Sequence, residues 1–81
     1  MMVTPEEVQG YIESGLACRE VRVAGDGAHF EALIVSEAFR GKNRVQRHQM
    51  VYAALGERMR EEIHALSMRT LTPEEAQESH G

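Results

Sequence analysis

With 81 residues, the chain can build one small domain with a thin core, and it leaves little room for an enzyme's pocket. Its hydrophobic fraction of 42% is that of a folded chain rather than a disordered one, and a single cysteine, Cys18, excludes an internal disulfide. A net charge of −4 argues against indiscriminate nucleic-acid binding but leaves room for a local basic patch.

No apolar run approaches the roughly 20 residues of a membrane span, and no basic segment followed by an apolar stretch opens the chain. A cytoplasmic protein with no membrane partner is the expectation. With no Trp, two Tyr and two Phe, aliphatic side chains and five Met must fill the core.

The first element is a helix in "TPEEVQGYIESGL". Thr4 caps it, Pro5 fits the first helical position, and Glu7 completes a capping box three residues after Thr4. Val8, Tyr11, Ile12 and Leu16 form one apolar stripe, and Gly15 is a stop signal. "CREVRV" then alternates, with Val21 and Val23 on one face and Glu20 and Arg22 on the other, which predicts a strand with one wet face. "AGDG" is a hairpin turn. "HFEALIVS" follows, nearly continuous in apolar character from Phe30 to Val35, as a central strand is.

"EAFRGKN" is a connector with room for a short helical turn. The longest helical pattern is "NRVQRHQMVYAALGERMREEI", capped by Asn43 with Gln46 as its box partner. Val45, Tyr52, Leu55 and Met59 are expected on its core face, with Val51 beside them. "HALSMRTL" is a third strand, with Leu66 and Met68 on one side and Ser67 and Arg69 on the other. "TPEE" recurs at Thr72 to Glu75 and predicts a short last helix. One domain is expected over residues 1–76, with a disordered tail at 77–81.

The order is α-β-β-α-β-(α), an α+β fold. Its first two strands form an antiparallel hairpin, and the second and third are joined through a helix, as a parallel pair requires. Parallel strands begin at the same end of a sheet. His29 begins the second strand and His64 the third, so both imidazoles are expected on one rim, with Cys18 near the opposite end. Two imidazoles suit an open metal site completed by water, substrate or a partner. Two unrelated surface histidines fit the same pattern. His48, three residues after Val45 and four before Tyr52, has the spacing of a packing residue, and Cys18 that of a small apolar one.

Between Ala38 and Gly56 there is no acidic residue, whereas Arg40, Lys42, Arg44 and Arg47 all fall there. A glycine-containing loop leading into a helix start can meet phosphates or an acidic protein. No aromatic residue sits among these basic residues to stack bases, which ranks a protein partner, or a patch without a partner, ahead of nucleic acid. No nucleophile–base pair is visible, so no enzyme is expected.

The segments "FRGKNRVQRHQMVYAAL" and "IHALSMRTLTPEE", with His29 just after the GDG turn, resemble the BolA/IbaG family, and the resemblance runs from about Val3 to Glu75. The GDG turn, with His29 one residue beyond it after Ala28, is most similar to the IbaG-like bacterial branch. The resemblance implies a three-stranded mixed sheet with helices on one face, similar to class II KH domains. It implies a stress-response role as a non-enzymatic adaptor in iron–sulfur cluster assembly and trafficking. The partner it implies is a monothiol glutaredoxin with a Cys-Gly-Phe-Ser motif, sharing a bridging [2Fe–2S] cluster also held by glutathione.

Carried onto this chain, that reading makes His64 one ligand and His29 the other, since the loop before the second strand holds no Cys. Imidazole must be neutral to bind, so mild acid is expected to weaken such a site. When free, the protein is expected to be a monomer or weak homodimer. The resemblance carries a second reading as well: a DNA-binding transcriptional regulator using the helix-turn-helix-like "RVQRHQMVY", with Lys42, Arg44 and Arg47 on the phosphates. The family often continues after "TPEE" with a Trp and basic residues. Here "AQESHG" follows, and no Trp is available to pack a longer final helix.

Overall fold

Three reciprocal capping boxes begin the helices. Thr4 Oγ1 accepts from the Glu7 N–H while Glu7 accepts from the Thr4 N–H. Asn43 and Gln46 repeat the exchange, and so do Thr72 and Glu75. Each pair satisfies two backbone donors that a helix start would otherwise leave open. A computed structural model describes residues 3–61, 63 and 65–78.

Helix α1 spans Pro5–Gly15 and strand β1 Glu20–Gly25. Strand β2 is His29–Val35, followed by a 3-10 turn at Glu37–Phe39. Helix α2 covers Arg44–Leu55 and α3 Arg58–Glu61, then β3 runs Ala65–Leu71 and α4 Pro73–Glu78. The strand order is β1-β2-β3, with β1 antiparallel and β3 parallel to β2. The near-continuous apolar run of β2 is thus the central strand, as its composition predicts. The last helix runs to Glu78, and residues 79–81 of the expected tail lie outside the described residues.

Alternation along the strands sends Val21, Phe30, Ala32, Ile34 and Thr70 to a buried face, where Val8 and Ile12 of α1 and Val51 and Leu55 of α2 meet them. Phe39 and Ile63 complete the cluster, with Leu66 and Met68 packed against it. Each such aliphatic or Phe side chain, fully buried, contributes about 1.5–3 kcal/mol. The opposite face keeps its polar residues in solvent, with Arg22, Glu31, Ser67 and Arg69 exposed.

Two sequence expectations are corrected. The long helical pattern is broken at Gly56, whose φ of 60 takes the backbone out of the helix while its N–H caps the Tyr52 carbonyl. The core face of α2 is also rotated from the one expected. Val45 is 65% exposed and Tyr52 40%, while Val51 and Leu55 are fully buried. One turn before Val51, the core-side position belongs to Arg47, whose side chain is only 13% exposed. A charged residue in the buried stripe displaces the apparent apolar face by about a third of a turn.

Gly15 ends α1 as expected, but for a different reason. A Cβ there would stand 2.8 Å from Cα and Cβ of Ala54, so the missing side chain lets α1 close against α2. Ser36, fully buried, fastens the connector after β2: its Oγ donates to the Ala17 carbonyl at 2.6 Å and accepts from the Ala38 N–H at 3.0 Å.

Candidate metal and partner site

The turn between β1 and β2 is built around one carboxylate. Asp26 Oδ1 accepts from the backbone N–H of His29 at 2.9 Å and of Ala28 at 3.0 Å. The Asp26 N–H donates back to the His29 carbonyl at 3.3 Å, and Gly27, at φ 96, supplies the left-handed residue the reversal needs. These bonds from His29 and Ala28 hold the Asp26 carboxyl below the usual carboxylate range, and attraction to the His29 ring adds a lesser pull. The backbone of His29 is therefore fixed from both its N–H and its carbonyl. Its side chain is exposed on the open face at the rim.

His29 stands opposite Ala65, the first residue of β3, and Ala65 follows His64 in the sequence. His64 itself lies outside the described residues. Two positions along β3 from Ala65, Ser67 faces the same side as His29, and its Oγ is 3.5 Å from His29 Nε2, at the limit of a hydrogen bond. If Nε2–H donates to Ser67, the lone pair a metal needs lies on Nδ1. No signal in the sequence paired Ser67 with His29, because the contact exists only through the parallel register. Among the described residues, no three His, Cys, Asp or Glu side chains converge on one metal position. The rim thus presents an accessible imidazole nitrogen from His29.

Cys18 lies at the far end of the sheet, just before β1 and beside the Arg19–Val35 backbone hydrogen bond. Its thiol, half-buried against the core and hydrogen-bonded to the Leu16 carbonyl at 3.3 Å, is pushed up by burial and then by Glu13. It is kept as an uncharged apolar group.

The basic residues divide into two roles. Arg47 is a clasp: Nε donates to the Lys42 carbonyl at 2.9 Å, and Nη1 donates to the Thr70 carbonyl at 3.0 Å and to Glu75 at 2.7 Å. Its guanidinium also lies 5.8 Å from the Phe39 ring centre. The Arg47 hydrogen bond, with the Thr72 N–H behind it, draws the Glu75 carboxyl down to about 2. Lys42 and Arg44, by contrast, are exposed. With Arg47, His48, Arg69, Met68 and Glu75 they bound a hollow of about 510 Å³ between the start of α2 and β3. His48 is half-buried in that wall, and burial, aided by Arg44, holds its imidazole below the usual histidine range.

Comparison with known proteins places these features in a family. The chain matches the family described as BolA-like protein over residues 3–75. It is 41% identical over 70 residues to the acid stress protein IbaG of Escherichia coli K12, covering 85% of this chain and 83% of that one. The DNA-binding transcriptional regulator BolA of Haemophilus influenzae is 45% identical over 51 residues, which cover 63% of this chain and half of that protein. A BolA homologue from Coxiella burnetii superimposes with a TM-score of 0.83 at 46% identity, covering 94% of this chain and 99% of that one. The first two relatives are named as a stress protein and a regulator, not as enzymes.

Proposed function

Because this chain belongs to the BolA-like family, we propose that it is a non-enzymatic adaptor in iron–sulfur cluster trafficking. It binds a monothiol glutaredoxin of the Cys-Gly-Phe-Ser type and contributes His29 and His64 to a [2Fe–2S] cluster carried between the two proteins. The observation that carries this reading is the rim. A carboxylate-built turn fixes His29 in solvent, and the parallel register sets it opposite the residue that follows His64. The cluster, with the partner's cysteine and glutathione on its other side, supplies the redox and transfer chemistry. This chain's residues supply neutral nitrogen donors, which raise a cluster's potential relative to an all-thiolate site. The reading sets the protein in the cytoplasm, as a monomer or weak homodimer until the glutaredoxin binds.

The test is anaerobic reconstitution of a cluster on a monothiol glutaredoxin with glutathione, with and without this protein, followed by visible absorption and circular dichroism. A new spectrum is expected with the wild type, lost with His64→Ala and altered or lost with His29→Ala. An unchanged glutaredoxin spectrum with the wild-type protein would remove the reading.

A second reading keeps the chain as a DNA-binding regulator, the role given in the name of the Haemophilus relative. The exposed Lys42 and Arg44 favour it, while Arg47 is spent on its clasp. Duplex binding that falls steeply with salt and weakens with Arg44→Ala would support it.

A further inference from the structure

The chain has nine Lys and Arg residues. Arg19, Arg22, Arg40, Arg47 and Arg60 pair with carboxylates, and Arg58 stacks on the Tyr11 ring at 4.0 Å from its centre. The remaining three, Lys42, Arg44 and Arg69, make no ion pair with the described residues, and all three line the hollow between α2 and β3. In a molecule of net charge −4, these three cations without a carboxylate partner among the described residues flank the outer strand β3, Lys42 and Arg44 on the α2 side and Arg69 on the open face.

The same groove runs along an open sheet edge. β3 is the outer strand, bonded to β2 on one side only. The Leu71 carbonyl accepts from the Ser36 N–H on the β2 side, whereas the Thr70 carbonyl accepts from Arg47 on the outer side. Backbone direction alternates along a strand, so Leu66 and Met68 present N–H and C=O outward with Thr70. Arg47 covers the Thr70 carbonyl. The outward groups of Leu66 and Met68 have no hydrogen-bond partner among the described residues. An exposed row of this kind is a template for another strand.

We propose that this groove docks an extended acidic segment of a partner protein, which adds a fourth strand at the outer edge of β3. Successive side chains of a strand point to opposite faces. The residue set beside Met68 therefore faces Lys42 and Arg44, and its neighbour beside Arg69 faces the open side of the sheet. The preferred segment carries two adjacent Asp or Glu residues. A peptide suits the groove better than a nucleic acid because the edge offers alternating donors and acceptors, which a peptide backbone matches and a phosphate chain does not. The groove lies toward the end of β3 away from His29, so a protein can occupy it while the rim is engaged.

The test is selection from a random nonapeptide display library on the immobilised full chain, followed by amide hydrogen exchange with the best synthetic peptide. Enrichment of adjacent Asp or Glu is expected, with new protection at Leu66 and Met68. Affinity should fall roughly tenfold in an Arg44→Ala, Arg69→Ala double variant, the sum of two partly exposed ion pairs. Both residues are exposed, and far-ultraviolet circular dichroism checks that the variant stays folded. A selection with no acidic preference, or none at all, overturns the proposal. So does peptide binding that leaves Leu66 and Met68 unprotected. A 20-base-pair duplex that displaces the peptide would assign the groove to nucleic acid instead.

Discussion

Arg47 shows how one residue can mislead a reading of sequence and still explain the fold. Its position in the buried stripe of α2 is legible only afterwards, because its partners come from elsewhere in the chain: Phe39, Thr70 and Glu75. The caps, in contrast, were legible, since Thr4–Glu7, Asn43–Gln46 and Thr72–Glu75 are each closed within three residues. His29 was legible as a rim residue, whereas its contact with Ser67 depends on strand register. The clasp makes a prediction about acid. The Glu75 carboxyl titrates near 2 in the fold and near about 4.3 in an unfolded chain. Its folded value is the lower one, so its stabilisation is complete above about pH 4.5 and disappears as pH falls toward 2. Thermal melts of the wild type and Glu75→Gln should differ at pH 6 and converge near pH 2. Equal melting temperatures at pH 6 would show that the clasp stabilises nothing.

At the scale of elements, local signals set what each segment becomes, while the way segments meet was less visible. Alternation in "EVRV" and "ALSMRTL" marks the strands, and the observed edge and centre follow from their polarity. The break at Gly56 needed one positive φ, a property the residue permits but does not dictate. The role of Gly15 was hidden in the same way: a glycine at a helix end reads as a terminator, and only the approach of Ala54 shows it as a contact point. Gly15→Ala should therefore destabilise the protein by about 1–3 kcal/mol, the range for overpacking a close interface. A glycine that acted only as a terminator, with no left-handed φ to protect, would give a neutral or slightly more stable variant. Urea denaturation decides between the two.

For the molecule as a whole, the order β1-β2-β3 joins pairings of very different reach. Gly25 meets Phe30 across a short turn, but His29 meets Ala65 only after α2 and α3 have been traversed. Local hairpins close within about 1–10 μs, and long-range parallel pairings come later. β3 is therefore the strand expected to dock last and to detach first. Amide exchange under native conditions should be faster in β3 than in β2, and uniform protection across the sheet would contradict this ordering.

Both proposed binding surfaces rest on that one detachable strand. Ala65 begins it beside the rim, and Met68, Arg69 and Thr70 line the groove. A ligand at either surface holds β3 down, and the next ligand no longer has to meet that cost. The two binding events should thus favour each other without touching, so a glutaredoxin at the rim would increase the grip on an acidic strand at the edge.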